Sequence, residues 1–287
     1  MKSVAIIGSA GQLGSDIRDQ FLKNKWEVIS LEHTDIQIEN INSVHEVFKS
    51  IKPNFVISTA AFHKVDQCET EIEKAWSINA RGISNVTAVG LSSGFRTVYI
   101  STDYVFDGSK GKEYLEVDPV SPINVYGQSK AAGELALQSS SDKNLILRVS
   151  SLFGKTGSGG KGGNFIEAII KKAKLGEAIN VVNDIYMSPT YTMDASELTY
   201  SIVENDCNGI FHVNNEGSIS WYEFAKKILD ELNINCHIEP VTTESNSALK
   251  RPKNSSMNAN KSKSISGRGY PWEDAVSRYL HEKGHLL

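Results

Sequence analysis

The sequence predicts an α/β fold: a doubly wound parallel sheet followed by a smaller C-terminal α/β region. Three observations carry that prediction. Short continuous apolar runs alternate with longer amphipathic stretches through the first half of the chain. The first apolar run opens directly into a glycine-rich turn. The rhythm weakens beyond Ser150. Continuous apolar strands mark a sheet covered on both faces, and a repeated β-α-β-α order makes that sheet parallel.

Val4-Ala5-Ile6-Ile7 reads as the first strand, and Leu13, Ile17, Phe21 and Leu22 then recur at helical spacing. Residues 26–31 read as the second strand. Val44, Val47, Phe48 and Ile51 mark a helix that Pro53 ends, because proline has no N–H and clashes with the preceding turn. Phe55-Val56-Ile57 is the third strand. Residues 71–93 support one long helix, closed by Gly94 as a cap. Residues 97–101 form the fourth strand, and a helix over 125–139 leads to the strand Leu145-Ile146-Leu147. Further helices are expected near 164–176, 192–205 and 220–233, with short strands near 179–182, 210–213 and 237–241 between them. Residues 154–163 hold six glycines and read as a mobile loop; the basic stretch 250–263 also reads as a loop. Residues 1–150, with return segments near 180–206, are expected to form one domain, and 151–287 mainly a second.

Composition excludes several classes of function. The 287 residues carry a net charge of -4, the wrong sign for a nucleic-acid binder that works by neutralising phosphates. No apolar run reaches the ~20 residues of a membrane span. Met1-Lys2-Ser3 enters a strand at once and Gly8 cuts the apolar run short, so no secretory signal is expected. Cys68, Cys207 and Cys236 are an odd set without paired spacing and read as reduced thiols in a cytoplasmic protein.

Gly8-Ser9-Ala10-Gly11-Gln12-Leu13-Gly14 lies between the first strand and the first helix. Glycines there allow a tight turn and let the backbone approach a pyrophosphate at a helix N-terminus, as in a Rossmann-type nucleotide fold. Glu32, at the end of the second strand, is placed to accept hydrogen bonds from an adenosine ribose. No Arg or Lys directly follows Glu32, which favours NAD(H) over NADP(H).

Tyr126 and Lys130 form a Y-x-x-x-K pair, one turn apart on one helix face. An ammonium beside a phenol favours the phenolate, and a phenol so tuned exchanges a proton with a carbonyl or alcohol oxygen. Tyr222/Lys226 and Tyr279/Lys283 share the spacing but lie outside the strand-rich half and read as ordinary helix-face pairs. Tyr126 opens the helix that follows the fourth strand, whose end carries Thr102 and Asp103. Open parallel sheets form their sites at such strand ends, so Thr102 can share a substrate oxygen with Tyr126. Asp103 reads equally as a loop or cap carboxylate. His281-Glu282-Lys283-Gly284-His285 matches the H-E-x-x-H zinc pattern, but it ends two residues before the C-terminus and contains Gly284, so it reads as a solvated tail. No metal site is expected.

Together these residues resemble an extended short-chain dehydrogenase/reductase, and more narrowly the dTDP-4-dehydrorhamnose reductase family. The resemblance runs in order along nearly the whole chain. It passes through the glycine loop, Ala60-Ala61, Val65-Asp66, Asn79, the stretch Ser101-Thr102-Asp103-Tyr104-Val105-Phe106-Asp107-Gly108, Pro122 to Gly127 with Lys130, Arg148, Asn164-Phe165 and Arg251-Pro252-Lys253-Asn254-Ser255. It implies that Thr102, Tyr126 and Lys130 are the catalytic trio and that Asn79 supports the lysine. Gly8, Gly11, Gln12, Leu13, Gly14, Glu32, Ala60 and Ala61, with Tyr126 and Lys130, would hold NAD(H) or NADP(H). His63, Val65, Asp103, Ser151, Asn164 and Arg251 would face the substrate. The implied activity is reduction of a 4-keto group on a nucleotide-linked 6-deoxyhexose, with the nucleotide sugar as partner and a homodimer left open. An epimerase with retained NAD would use the same residues; a non-catalytic regulatory subunit that binds dinucleotide is the other alternative, and the complete Thr102, Tyr126 and Lys130 set argues against it.

Two departures from the family pattern stand out. Val149-Ser150-Ser151 follows Arg148 where the family often has Thr-Ser-Trp, so Ser151 replaces an aromatic wall. Gln37 stands where the family usually has an acidic residue on the adenine side. The first implies a changed sugar preference.

Overall fold

Six strands, β1 (Ser3–Ile7), β2 (Glu27–Leu31), β3 (Phe55–Ser58), β4 (Arg96–Thr102), β5 (Leu145–Val149) and β10 (Gly209–His212), build a parallel sheet. Their spatial order is β10-β5-β4-β3-β1-β2, so the direction of winding reverses between β1 and β3. That is where an open α/β sheet leaves a crevice for a ligand. The computed structural model describes residues 1–157, 163–243 and 249–286.

Alternate residues of each strand feed opposite faces. Val4 and Ile6 pack with Leu13, Ile17 and Phe21 of α1 (Gln12–Lys23) and with Ala195, Leu198 and Ile202 of α8 (Thr192–Glu204). Ala5 and Ile7 pack with Val44 and Phe48 of α2 (Ile41–Ser50) and with Ile83, Val86 and Val89 of α5 (Ile83–Ser93). The inner strands β1, β3, β4 and β5 are buried almost throughout, which explains their continuous apolar sequence, while the edge strands β2 and β10 are partly exposed.

Short pairs β6 (Leu152–Phe153) with β9 (Thr190–Tyr191), β7 (Ile179–Val182) with β12 (Ile238–Val241), and β8 (Tyr186–Met187) with β11 (Ile219–Ser220) organise the C-terminal region. Around them α7 (Phe165–Lys174), α9 (Trp221–Glu231) and α11 (Trp272–Glu282) bury Phe153, Ile166, Tyr191, Phe224 and Tyr279 in an apolar cluster of their own. The chain returns to the main sheet through α8 and β10. Among the described residues no helix is long and apolar enough to cross a membrane.

Three expectations need correction. The helix over 71–93 is not uniform: α4 (Ile72–Trp76) passes into a π turn (Ser77–Gly82) before α5. The stretch 250–263 is not loop to its end, because α10 (Asn260–Ser266) begins within it. The C-terminal H-E-x-x-H stretch is only partly solvated: His281 is exposed, but the other end is packed. Glu282 accepts from Tyr191, and His285 lies 3.0 Å from Glu167 of α7. Of the glycine-rich loop, 158–162 lie outside the described residues.

Candidate active site

The glycine loop closes at the end of β1. Gly8 adopts φ 82°, a conformation that only glycine takes without strain, and its N–H donates to Leu31 at 2.7 Å. Gly14 lets the helix pass so close that a Cβ there would lie 2.1 Å from the Gly8 carbonyl. Gly11 caps α1 with no side chain in the way. Gln12, Leu13 and Gly14 are buried behind the turn. Glu32, at the tip of β2, accepts from the Ser9 hydroxyl at 2.5 Å and from the Ala10 N–H at 2.7 Å. It therefore ties the loop to the second strand. Ala60 and Ala61 are half-buried and follow Thr59, whose hydroxyl reaches the carbonyls of Ile7 and Gly8 at 2.9 and 3.0 Å.

Thr102 ends β4 and Tyr126 lies in the first turn of α6 (Val125–Ser140). Asn124 caps that helix by accepting from the Gly127 N–H at 2.8 Å. Gly127 is pressed onto the Tyr104 carbonyl, where a Cβ would sit 2.1 Å away. This contact sets the Tyr126 ring edge-on to Tyr104, 5.7 Å between centroids. Burial pushes the Tyr126 phenol well above the ordinary tyrosine range; the Thr102 hydroxyl opposes that rise and Asp103 adds to it. Burial also draws Lys130 down to about 7, against the pull of Glu134 one turn along α6. The Lys130 ammonium donates to the Ile100 carbonyl at 2.6 Å and lies 4.0 Å from the Tyr99 ring centroid.

Asn79 sits in the π turn, fully buried. Its amide donates to the Phe62 carbonyl and to Ser129, both at 3.0 Å, and its oxygen accepts from the Phe62 N–H at 2.8 Å. It thus fixes the loop after β3 against α6, and its backbone carbonyl takes the Tyr99 hydroxyl at 2.9 Å. Its route to Lys130 runs through Tyr99.

The residues expected on the substrate side divide. Arg251 is exposed and pairs with Asp66 at 3.2 Å, next to Val65, the first residue of α3 (Val65–Cys68). His63 lies half-buried in the loop after β3. Ser151 is half-buried and adopts φ 43°, with its carbonyl accepting from Thr190. Two others are engaged elsewhere, contrary to expectation. Asp103 is buried, and its oxygens accept from Thr102 at 3.0 Å, Ser150 at 3.0 Å and Ser255 at 2.5 Å. Asn164 caps α7, with its amide on Gly154 and on the Tyr279 hydroxyl.

Sequence reasoning assigned no part to Tyr99, Glu134, Ser150 or Ser255. Glu134 lies four residues after Lys130, a spacing that signals contact, but its partners are Arg148, at 2.9 and 2.7 Å, and Ser101 at 2.5 Å. No local pattern reveals Ser255, which meets Asp103 only through the fold. Among the described residues no group of three or more acidic, histidine or cysteine side chains is arranged to hold a metal.

A family model described as the RmlD substrate binding domain matches residues 1–284. The spore coat polysaccharide biosynthesis protein SpsK of Bacillus subtilis (strain 168) is 36% identical over 284 residues, covering 99% of this chain and 98% of that protein. The dTDP-4-dehydrorhamnose reductase of Aggregatibacter actinomycetemcomitans is 35% identical, covering 91% of this chain and 92% of that protein. The crystal structure of dTDP-4-dehydrorhamnose reductase from Bacillus anthracis str. Ames, in complex with NADP, superposes with a TM-score of 0.91 at 38% identity, over 98% of this chain and 100% of that one. With a match along nearly its full length and the residues of that resemblance gathered at one end of the sheet, the chain belongs to the dTDP-4-dehydrorhamnose reductase family, whose model is the RmlD substrate binding domain.

Proposed function

We propose that the chain is an NAD(P)H-dependent reductase of the 4-keto group of a nucleotide-linked 6-deoxyhexose, acting in deoxysugar biosynthesis. One observation carries the reading. Thr102, Tyr126 and Lys130 converge at the C-terminal end of β4, beside a glycine turn built for a dinucleotide.

The residues present fit the cofactor. A Cβ at Gly14 would meet the loop's own backbone and one at Gly8 the Thr59 hydroxyl, and the Gly11 cap puts no side chain over the N-terminus of α1, which leaves it bare for a pyrophosphate. When bound, the dihydronicotinamide supplies a hydride to the sugar carbonyl carbon. The chain supplies the rest. Tyr126, kept protonated by burial, is the acid that donates a proton to the carbonyl oxygen. Thr102 orients that oxygen, and Lys130 sets the field at the phenol and binds a ribose hydroxyl. Ala60 and Ala61 line the cofactor, while Arg251, Val65 and His63 face the nucleotide sugar. Asp103 and Asn164 act behind them, as an anchor for Thr102 and as the cap of α7. Holding donor and carbonyl together removes much of the entropic barrier. We place the reaction in the cytoplasm, which suits the unpaired thiols of Cys207 and Cys236.

The test is oxidation of NADH and of NADPH against a panel of nucleotide 4-keto-6-deoxysugars, with consumption of at least one sugar expected. Turnover of a nucleotide sugar without added NAD(P)H would mark an epimerase instead. Dinucleotide binding with no turnover of any panel member would mark a regulatory subunit.

A further inference from the structure

Lys130 is buried, yet among the described residues no carboxylate is in contact with its ammonium. Glu134, the acidic group nearest it on its own helix, gives both oxygens to Arg148 and one of them also to Ser101. Asn79, from the π turn, spends its amide on Phe62 and Ser129. Arg148, from β5, is matched by Glu134. What β4 offers is the carbonyl of Ile100 at 2.6 Å and the face of Tyr99, with its centroid 4.0 Å from the ammonium. A cation over an aromatic face gains more when both are desolvated, as both are here.

The ring is itself held at its far end. The Tyr99 hydroxyl donates to the backbone carbonyl of Asn79 at 2.9 Å. Gly133 of α6 makes room for that bond, since a Cβ there would lie 2.7 Å from the Tyr99 hydroxyl and 2.6 Å from the Asn79 carbonyl. Backbone, ring and ammonium form one stack between the π turn and α6.

We propose that Tyr99 is a positioning residue for the reduction, its ring face keeping the Lys130 ammonium charged and aimed in place of a carboxylate. The proposal rests on the reductase reading for its consequence, but not for its test. A carboxylate in contact would hold the lysine more firmly and would also repel a developing phenolate at Tyr126. A π face supports the cation without adding a net charge. Depression of Lys130 by burial is consistent with a weak counter-charge of this kind.

The experiment is a lysine Cε NMR titration of the full chain, with the Lys130 resonance assigned by its loss in Lys130→Met. Position 99 is varied from Tyr to Phe and then to mono-, di- and trifluorophenylalanine, which weakens the ring face stepwise at nearly constant shape. The expected result is a Lys130 midpoint that falls with each fluorine, by about one pH unit at the trifluoro ring. Over the same series kcat at neutral pH should fall while the KM for the sugar holds. A midpoint indifferent to fluorine count would overturn the proposal. If the natural chain reduces no sugar on the panel, the reductase reading fails alone, because the titration still decides what Tyr99 does to Lys130.

Discussion

The Ser255 hydroxyl donates to the Asp103 carboxylate at 2.5 Å, joining residues 152 positions apart in the chain. Through this bond the segment that carries Arg251 is tied to the residue beside Thr102. Asp103→Ala should strand three buried hydroxyls and destabilise the fold by about 1–3 kcal/mol. Urea unfolding measures that cost, and the KM for the nucleotide sugar should rise as the segment loosens. A variant as stable as the natural chain would show that the carboxylate is not an anchor.

Tyr126→Phe should lower kcat by roughly 10²–10⁴, the usual scale for a general acid, with dinucleotide affinity nearly unchanged. Tyr222→Phe should leave kcat alone. Tyr279→Phe should also spare kcat but lower the melting temperature, since that hydroxyl bonds Glu167 at 2.6 Å and Asn164 at 2.9 Å. Full turnover by Tyr126→Phe would refute the assigned chemistry.

Lys130 should cost the fold stability at neutral pH. Its folded value, about 7, lies below the ordinary 10.5, so between those limits the unfolded chain holds a proton that the folded chain releases. Stability therefore rises with pH across that window, and below it the full cost is felt. Lys130→Met should melt higher than the natural chain at pH 7, by a free energy on the order of 4 kcal/mol, with the gain shrinking toward pH 10. Activity should be lost in the same variant. A gain that grows with pH would contradict the sign.

Glu32→Gln should shift cofactor choice. The carboxylate is half-exposed at the tip of β2 and braces the glycine loop. Removing its charge relieves repulsion of a ribose 2′-phosphate, so NADPH should gain on NADH by about fivefold in Kd, a scale of ~1 kcal/mol for partly screened charges. Titration calorimetry with both cofactors reads the ratio. No change in the ratio would mean that Glu32 serves the loop and not the ribose.

Ser151 should redirect sugar preference. If Ser151 faces the sugar, as the family pattern implies, the absent indole would forfeit about 1–3 kcal/mol of apolar contact. We expect dTDP-4-dehydrorhamnose to be reduced less efficiently than a related 4-keto sugar, and Ser151→Trp to favour it. Ser151 holds φ 43°, so the indole must enter from a left-handed backbone, and a lowered melting temperature should accompany the gain. Comparison of kcat/KM across the panel decides the matter; best turnover of dTDP-4-dehydrorhamnose by the natural chain, weakened by Ser151→Trp, would sink it.

The sheet was legible because its strands are continuous apolar runs, and the glycine turn because its position between β1 and α1 leaves few other uses for Gly8 and Gly14. Tyr126 stood out from Tyr222 and Tyr279 by its place after β4, since the Y-x-x-x-K spacing occurs three times. Contacts between distant segments were not legible. Asn164 looked like a substrate residue, but it opens α7, where its side chain satisfies a helix N–H that would otherwise lack a partner. His285 looked solvated because its partner Glu167 lies 118 positions earlier. Serine hydroxyls such as those of Ser150 and Ser255 carry no periodic signal at all.

The π turn over Ser77–Gly82 also sets the phase of a helix. A wide turn absorbs one residue more than an α turn does, and one α-helical residue corresponds to about 100° of rotation. Ala75 before the turn and Ile83, Val86 and Val89 after it are all buried because the wide turn takes up the extra residue and keeps the two halves in register with their separate neighbours. Deleting a single residue between 77 and 82 would let the turn close into ordinary α-helix with both halves near their present phase, but it would remove the widened turn that carries Asn79 to Phe62. A deletion inside α5 has no such turn to absorb it and would swing the residues beyond the cut by about 100°, taking part of the helix off the sheet. The wide turn thus marks where this helix can lose a residue and keep its packing, at the expense of the Asn79 contacts.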